Sequence, residues 1–159
     1  MNICLIGNTL SSLTLAKILV NTKLNVSLYQ EIQNSFSTKT RTLGISKYNL
    51  QFLNKKVIKL DKKYIWDINQ IDIFTENSLK EKIFNFEKNN QPLFSIIKND
   101  YIRNKLEKSL NKNKYFKKIL IKKNFSYKKI LDKNYDLVIN CDSKNILFKK
   151  FSNDKITKD

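Results

Sequence analysis

The residues with the most chemical promise are Gly7-Asn8-Thr9-Leu10-Ser11-Ser12, together with Gln30 and its neighbour Glu31. A glycine between a strand and a helix lets the backbone come close to a pyrophosphate, and the helix N-terminus adds N–H groups and the positive end of a dipole. In the frame G-x-G-x-x-G only the first glycine, Gly7, is kept. Thr9 carries a Cβ where a phosphate comes closest, Ser11 has a hydroxyl to donate, and Ser12 is small enough for close helix-to-strand packing. Gln30 stands 23 positions after Gly7, where an acid normally accepts from a ribose hydroxyl. An amide accepts as well, without charge, and Glu31 is adjacent. The bland reading of the same residues is a parallel βαβ unit that binds nothing.

The elements that must position this turn are legible around it. Ile3 to Ile6 is an apolar run, after which Leu10, Leu13, Leu15, Ile18 and Leu19 recur with roughly helical spacing. Val26 to Tyr29 is a second strand-like run, so residues 1–30 read as strand, turn, helix, strand. Near the other end, Tyr135 to Asn140 is a buried strand leading into Cys141-Asp142-Ser143, a small polar turn with a carboxylate. An α/β sheet places such a turn at its ligand-binding edge, provided this strand lies parallel beside the first. Between them, Arg41 sits in a loop ahead of a short helix beginning near Ser46, and Leu50, Phe52 and Leu53 line one side of it. Alternation from Trp66 to Phe86 predicts two antiparallel strands, and Leu93 to Ile97 a further short one. Asn99 to Leu110 is helical by periodicity, while Tyr115 to Ile121 and Phe125 to Tyr127 read as a β pair near the surface.

A chain of 159 residues with 41% hydrophobic and 11% aromatic content can bury a real core. Its net charge of +17 invites a nucleic-acid reading. All but two of the 31 basic residues are lysines, scattered among many Asn and Ile, which makes the charge a solvated surface and nucleic acid an unfavoured partner. Such a surface still attracts anions weakly, cofactor phosphates and anionic lipid included. An arginine in so lysine-rich a chain hints at a planar, bidentate contact, which singles out Arg41. No uninterrupted apolar stretch is long enough to span a bilayer, and Cys4 and Cys141 form no metal or redox pattern. The expectation is a cytoplasmic protein, at most peripheral to the inner membrane, with no metal.

Taken together, these segments resemble the FAD-dependent aromatic-ring hydroxylases of the glutathione-reductase-like fold, in particular the ubiquinone-biosynthesis hydroxylases. Gly7 to Ser12 occupies the ADP-binding turn and Gln30 the position of the ribose-binding acid. Arg41-Thr-Leu-Gly-Ile-Ser46 resembles the loop whose arginine approaches the flavin. Ile97 to Leu106 is similar to the asparagine-led helix after the substrate-domain strands, and Asp136 to Ser143 to the D-x-V-x-G-A-D-G segment that helps to hold FAD. Two of the three glycines, the acid at Gln30, an arginine at Asp100 and a glycine at Ser143 depart from that pattern. The resemblance implies an α/β, Rossmann-like FAD/NAD(P)-binding parallel sheet with a partial antiparallel substrate-domain insertion. Residues 1–60 are expected to be the N-terminal βαβ, 61–98 the insertion, and 99–159 the return to the FAD-binding domain. The implied cofactor is FAD, with NAD(P)H as reductant. The later segment that grips the ribityl phosphate in that family has no counterpart in this sequence. The expectation is therefore an N-terminal portion that is inactive alone and relies on a C-terminal half or a partner subunit. No residue stands out as a catalytic acid or base, and histidine is absent. The alternative is a non-catalytic Rossmann-like module for nucleotide binding or interaction.

Overall fold

A computed structural model describes residues 1–32, 41–76, 78–87, 91–122 and 125–143. The chain divides into two compact units, Met1–Ser37 with Lys105–Asp159, and Thr38–Asn104.

The first unit is built on a four-stranded parallel sheet. Its strands are β1 (Asn2–Ile6), β2 (Asn25–Glu31), β8 (Phe116–Ile121) and β9 (Leu137–Asn140), in the spatial order β8-β2-β1-β9. Parallel strands covered on both faces read as continuous apolar runs, and Ile3, Cys4, Leu5 and Ile6 are all fully buried. Helix α1 (Leu10–Asn21) crosses between β1 and β2 and buries Leu13, Ala16 and Val20. Side chains alternate along a strand, so Ile3, Leu5, Val26, Leu28 and Gln30 share one face. Cys4, Ile6 and Tyr29 share the other, where they pack with Ile121 and Ile130. Phe125, Tyr127 and Tyr135 complete this second layer. The Tyr29 hydroxyl lies 3.0 Å from both the Tyr135 hydroxyl and the Lys133 Nζ, which satisfies a phenol that burial would otherwise penalise. Asp136 clasps the start of β1: its Oδ2 accepts from the Asn2 N–H at 2.6 Å, and its N–H donates to the Asn2 carbonyl at 2.9 Å.

The expected parallel neighbours β2, β1 and β9 are therefore present. The expected surface β pair is not. Phe116–Ile121 is β8, paired parallel with β2 over six residues, because Ile121 and half-buried Ile119 extend the apolar layer around Tyr29. Phe125 and Tyr127 belong to no strand; they lead into helix α4 (Lys128–Leu131) and fill that layer with their rings.

The second unit is antiparallel. Strands β3 (Thr42–Ile45), β4 (Ile65–Ile68) and β7 (Phe94–Lys98) form a sheet in the order β3-β7-β4. Strands β5 (Gln70–Thr75) and β6 (Ser78–Glu87) form a separate hairpin. Thr42–Ile45 was expected to be loop, yet it pairs with Ile97 and its neighbours, burying Ile97 and Ser95. Helix α2 (Lys47–Phe52) starts as the sequence predicts, with the Ser46 hydroxyl accepting from the Asn49 N–H. A π-helical turn (Leu53–Val57) and a 3-10 turn (Lys62–Tyr64) follow. Helix α3 (Asn99–Asn111), within which the division between the two units falls, buries Ile102, Leu106 and Leu110, one stripe at helical spacing. No helix among the described residues is long and apolar enough to cross a membrane.

Candidate functional site

The C-terminal ends of β1, β2 and β9 lie side by side, and the turn after β1 is held against both neighbours. The Gly7 N–H donates to the Tyr29 carbonyl at 3.0 Å, and the Cys141 N–H donates to the Ile6 carbonyl at 2.8 Å. Gly7 has φ +140°, a conformation side chains rarely adopt, and a Cβ built there would lie 3.3 Å from the Cys141 carbonyl carbon. The one retained glycine is thus required by the close approach of the β9 end.

Thr9 is the N-cap of α1, and it forms a reciprocal capping box with Ser12. The Thr9 Oγ1 accepts from the Ser12 N–H at 3.2 Å, and the Ser12 Oγ accepts from the Thr9 N–H at 3.1 Å. The Ser12 hydroxyl also lies 2.8 Å from the Thr9 carbonyl and 3.2 Å from that of Gly7. The serine that replaces the third glycine is fully buried and stitches the turn together. Its T-x-x-S spacing is the sequence signal that identifies this role. Leu10 and Ser11, first and second in the helix, have N–H groups with no intrahelical acceptor, and these face out of the N-terminus. A shallow groove of about 360 Å³ starts at these two residues and continues along Thr14, Leu15 and Ile18. Lys17 is the single charged residue of α1, and burial lowers its pKa.

At the end of β2 the two candidate residues point to opposite faces. Gln30 is 2% exposed, on the face that α1 covers, and its Nε2 has no hydrogen-bond partner. Glu31 lies on the other face with Tyr127. Burial raises the Tyr127 pKa, and the carboxylates of Glu31 and Asp142 raise it further. Asp142 is half-buried beyond β9, its N–H donating to the Asn140 Oδ1 at 3.1 Å, and Ser143 beside it is exposed. Gly7, Asn8, Thr9, Leu10, Ser11, Ser12, Gln30, Glu31, Asp142 and Ser143 thus all belong to the first unit, at the β1, β2 and β9 ends. Arg41 belongs to the second unit: its side chain is exposed just before β3, and its carbonyl accepts from the Asn99 N–H at 2.9 Å. Cys141, whose backbone abuts Gly7, is the participant that the sequence did not single out. Among the described residues no group of three or more His, Cys, Asp or Glu side chains is placed to hold a metal ion.

A parallel β1-α1-β2 unit with a third parallel strand returning beside β1, joined to antiparallel sheets, defines a Rossmann-like α/β fold. No family model matches the chain, and no curated protein matches it in sequence. Among solved structures, 2,6-dihydroxypyridine-3-hydroxylase from Arthrobacter nicotinovorans superposes with a TM-score of 0.55 over 74% of this chain, at 14% identity. The likeness is one of fold. The match takes in 28% of that hydroxylase's own length.

Proposed function

We propose that this chain is the adenine-dinucleotide-binding portion of a flavin-dependent hydroxylase of the kind that acts in ubiquinone biosynthesis, and that these 159 residues alone do not hydroxylate. The observation that carries the reading is the convergence of the β1, β2 and β9 ends on one edge beside the N-terminus of α1. The fold likeness to a hydroxylase, and the resemblance of four segments to the flavin family, support it.

The residues present fit FAD at the pyrophosphate. The Leu10 and Ser11 N–H groups lack intrahelical acceptors, and a buried amide donor on Gln30 lacks a partner. When bound, FAD supplies the oxygen chemistry, with NAD(P)H as the electron source. The chain's own part is binding and orientation. Gly7 lets the turn pack tightly enough to expose the two N–H groups, and Gln30 meets the ribose. Asp142 and Ser143 border the nucleotide at the β9 end. No side chain in this set transfers a proton.

The capping box favours a second reading, a Rossmann-like module without cofactor, because Thr9 and Ser12 satisfy two N–H groups that a phosphate otherwise takes. An absorbance spectrum of the protein as purified, followed by equilibrium dialysis against FAD, separates the two. Flavin bands and saturable uptake near one FAD per chain are expected; absence of both establishes the second reading instead.

A further inference from the structure

We propose that the apolar face of the β5–β6 hairpin is a contact surface for a second copy of this chain, the two hairpins stacking face to face across a two-fold axis. This surface is independent of the nucleotide reading.

Strands β5 and β6 pair only with each other among the described residues, so each keeps one open edge. A two-stranded ribbon is marginal in water until a second layer covers its apolar face. Register puts Ile71 and Ile73 of β5 beside Phe86 and Phe84 of β6 on one face, and the two rings lie 6.4 Å apart at 30°. Ile73, Phe84 and Phe86 are exposed, Phe84 the most at 60%, and so is Ile83, which the register shift leaves without an opposite residue.

Charge selects the occupant. Residues 70–87 hold the carboxylates Asp72, Glu76, Glu81 and Glu87 and the lysines Lys80 and Lys82, a balance of −2 in a chain of +17. The rest of the chain therefore carries +19 (17 + 2). At physiological salt only charges within about 8 Å of a contact count. Two copies meeting through lysine-rich surfaces bring like charges together, whereas at the hairpin that excess is absent. The Lys82 Nζ is also taken up on the far face, 3.0 Å from Asp72. Exposed Glu76, Glu81 and Glu87 are in addition drawn to a partner as basic as this chain.

A flat apolar ribbon is complementary to itself under a two-fold, which makes the contact isologous. Stacked about 10 Å apart, two such ribbons form a small sandwich with the apolar faces inside. An aromatic side chain buries about 150–250 Å² in full, so each half-exposed one here offers about 100 Å². Ile73, Ile83, Phe84 and Phe86 from both copies then give about 800 Å², a small interface of the transient kind. A Kd of about 100 µM is expected, so the face is bare at the micromolar concentrations of a denaturation experiment.

Sedimentation velocity of the purified chain from about 1 µM to about 1 mM tests this, with monomer expected to give way to dimer around that Kd. Phe84→Ser should weaken the dimer about tenfold or abolish it, with circular dichroism showing the fold intact. Phe86→Ser repeats the test should the first variant not fold. Leu120→Ser, at a side chain of β8 as exposed as Phe84, should leave the dimer unchanged. Monomer throughout, a dimer indifferent to Phe84→Ser, or a dimer lost equally in Leu120→Ser overturns the proposal. Vesicles of phosphatidylcholine and phosphatidylglycerol supply the competing occupant. A chain that stays monomeric but co-sediments with them, and ceases to do so as Phe84→Ser, assigns the face to lipid and overturns the second copy.

Discussion

The parallel sheet of the first unit and the β5–β6 hairpin of the second use similar apolar residues to opposite ends. In the sheet, Leu5, Leu28 and Tyr29 are at most 1% exposed. In the hairpin, Ile73, Phe84 and Phe86 are 42%, 60% and 50% exposed, although Ile71, Ile73, Phe84 and Phe86 stand on one face by register. The other face carries a polar cluster around Asp72. Asp72 accepts from Gln70 and Asn85 and pairs with Lys82 at 3.0 Å, and these contacts, Gln70 foremost, hold its carboxyl below the usual range. Burial on both faces is what makes a strand indispensable. A ribbon bare on one face contributes shape and little stability.

Truncation is the sharpest way to break this comparison. Leu28→Ala should cost about 2–5 kcal/mol, since it opens a cavity between α1 and the sheet, and chemical denaturation measures it. Gly7→Ala comes next. It forces a side chain into φ +140° against the Cys141 backbone, and a loss of about 1–3 kcal/mol is expected from the same titration. Ser12→Ala removes the hydroxyl that accepts from the Thr9 N–H and lies against the Thr9 and Gly7 carbonyls, while the Ser12 N–H keeps its bond to the Thr9 Oγ1, and it should lower stability by about 1 kcal/mol, read as a lower melting temperature. Thr9→Gly should cost only a few tenths of a kcal/mol, because glycine is itself an acceptable N-cap. It frees the Ser12 N–H and removes Cβ at the nearest phosphate approach, so FAD should bind it more tightly than the unaltered chain. Phe84→Ser in the hairpin should change stability by no more than about 0.5 kcal/mol. A loss there comparable to Leu28→Ala would erase the contrast between the two regions.

The same contrast has a pH signature. Burial pushes the Cys4 thiol from 9.0 up to about 12, against an opposite pull from Lys133. Burial also raises Cys141, Tyr127 and Tyr135. A group whose folded pKa lies above its unfolded one releases its proton more readily on unfolding, so stability falls as pH rises between the two values. For Cys4 the protein should hold its stability below pH 9.0 and lose it progressively toward pH 12. Cys4→Ala should flatten that decline, as followed by melting temperature against pH.

Much of the first unit was legible because its signals are local. Apolar runs ending at Gly7 and Gln30, and the helical spacing from Leu10 to Leu19, are read within thirty residues. The β9 strand was legible too, since Leu137 to Asn140 is apolar and ends in a polar turn. The place of β8 was not, because its partner β2 lies some ninety residues earlier and strand sequence does not specify a distant neighbour. Thr42–Ile45 escaped for the same reason: four residues with a glycine become a strand only by pairing with β7. At the site, the loss of two glycines was plain in the sequence. That Ser12 then closes the turn by capping, and that Glu31 faces away from Gln30, follows from register and side-chain geometry, which residue types alone do not fix.

The central claim is that a dinucleotide sits where the ends of β1, β2 and β9 meet the start of α1. Backbone amide chemical-shift mapping during an FAD titration of ¹⁵N-labelled protein tests it most directly. The account predicts saturable shifts at Gly7, Leu10, Ser11, Gln30 and Asp142, with the hairpin amides of Asp72 and Asn85 unmoved. No shifts at the first group under excess FAD, or shifts concentrated on the hairpin, would contradict it.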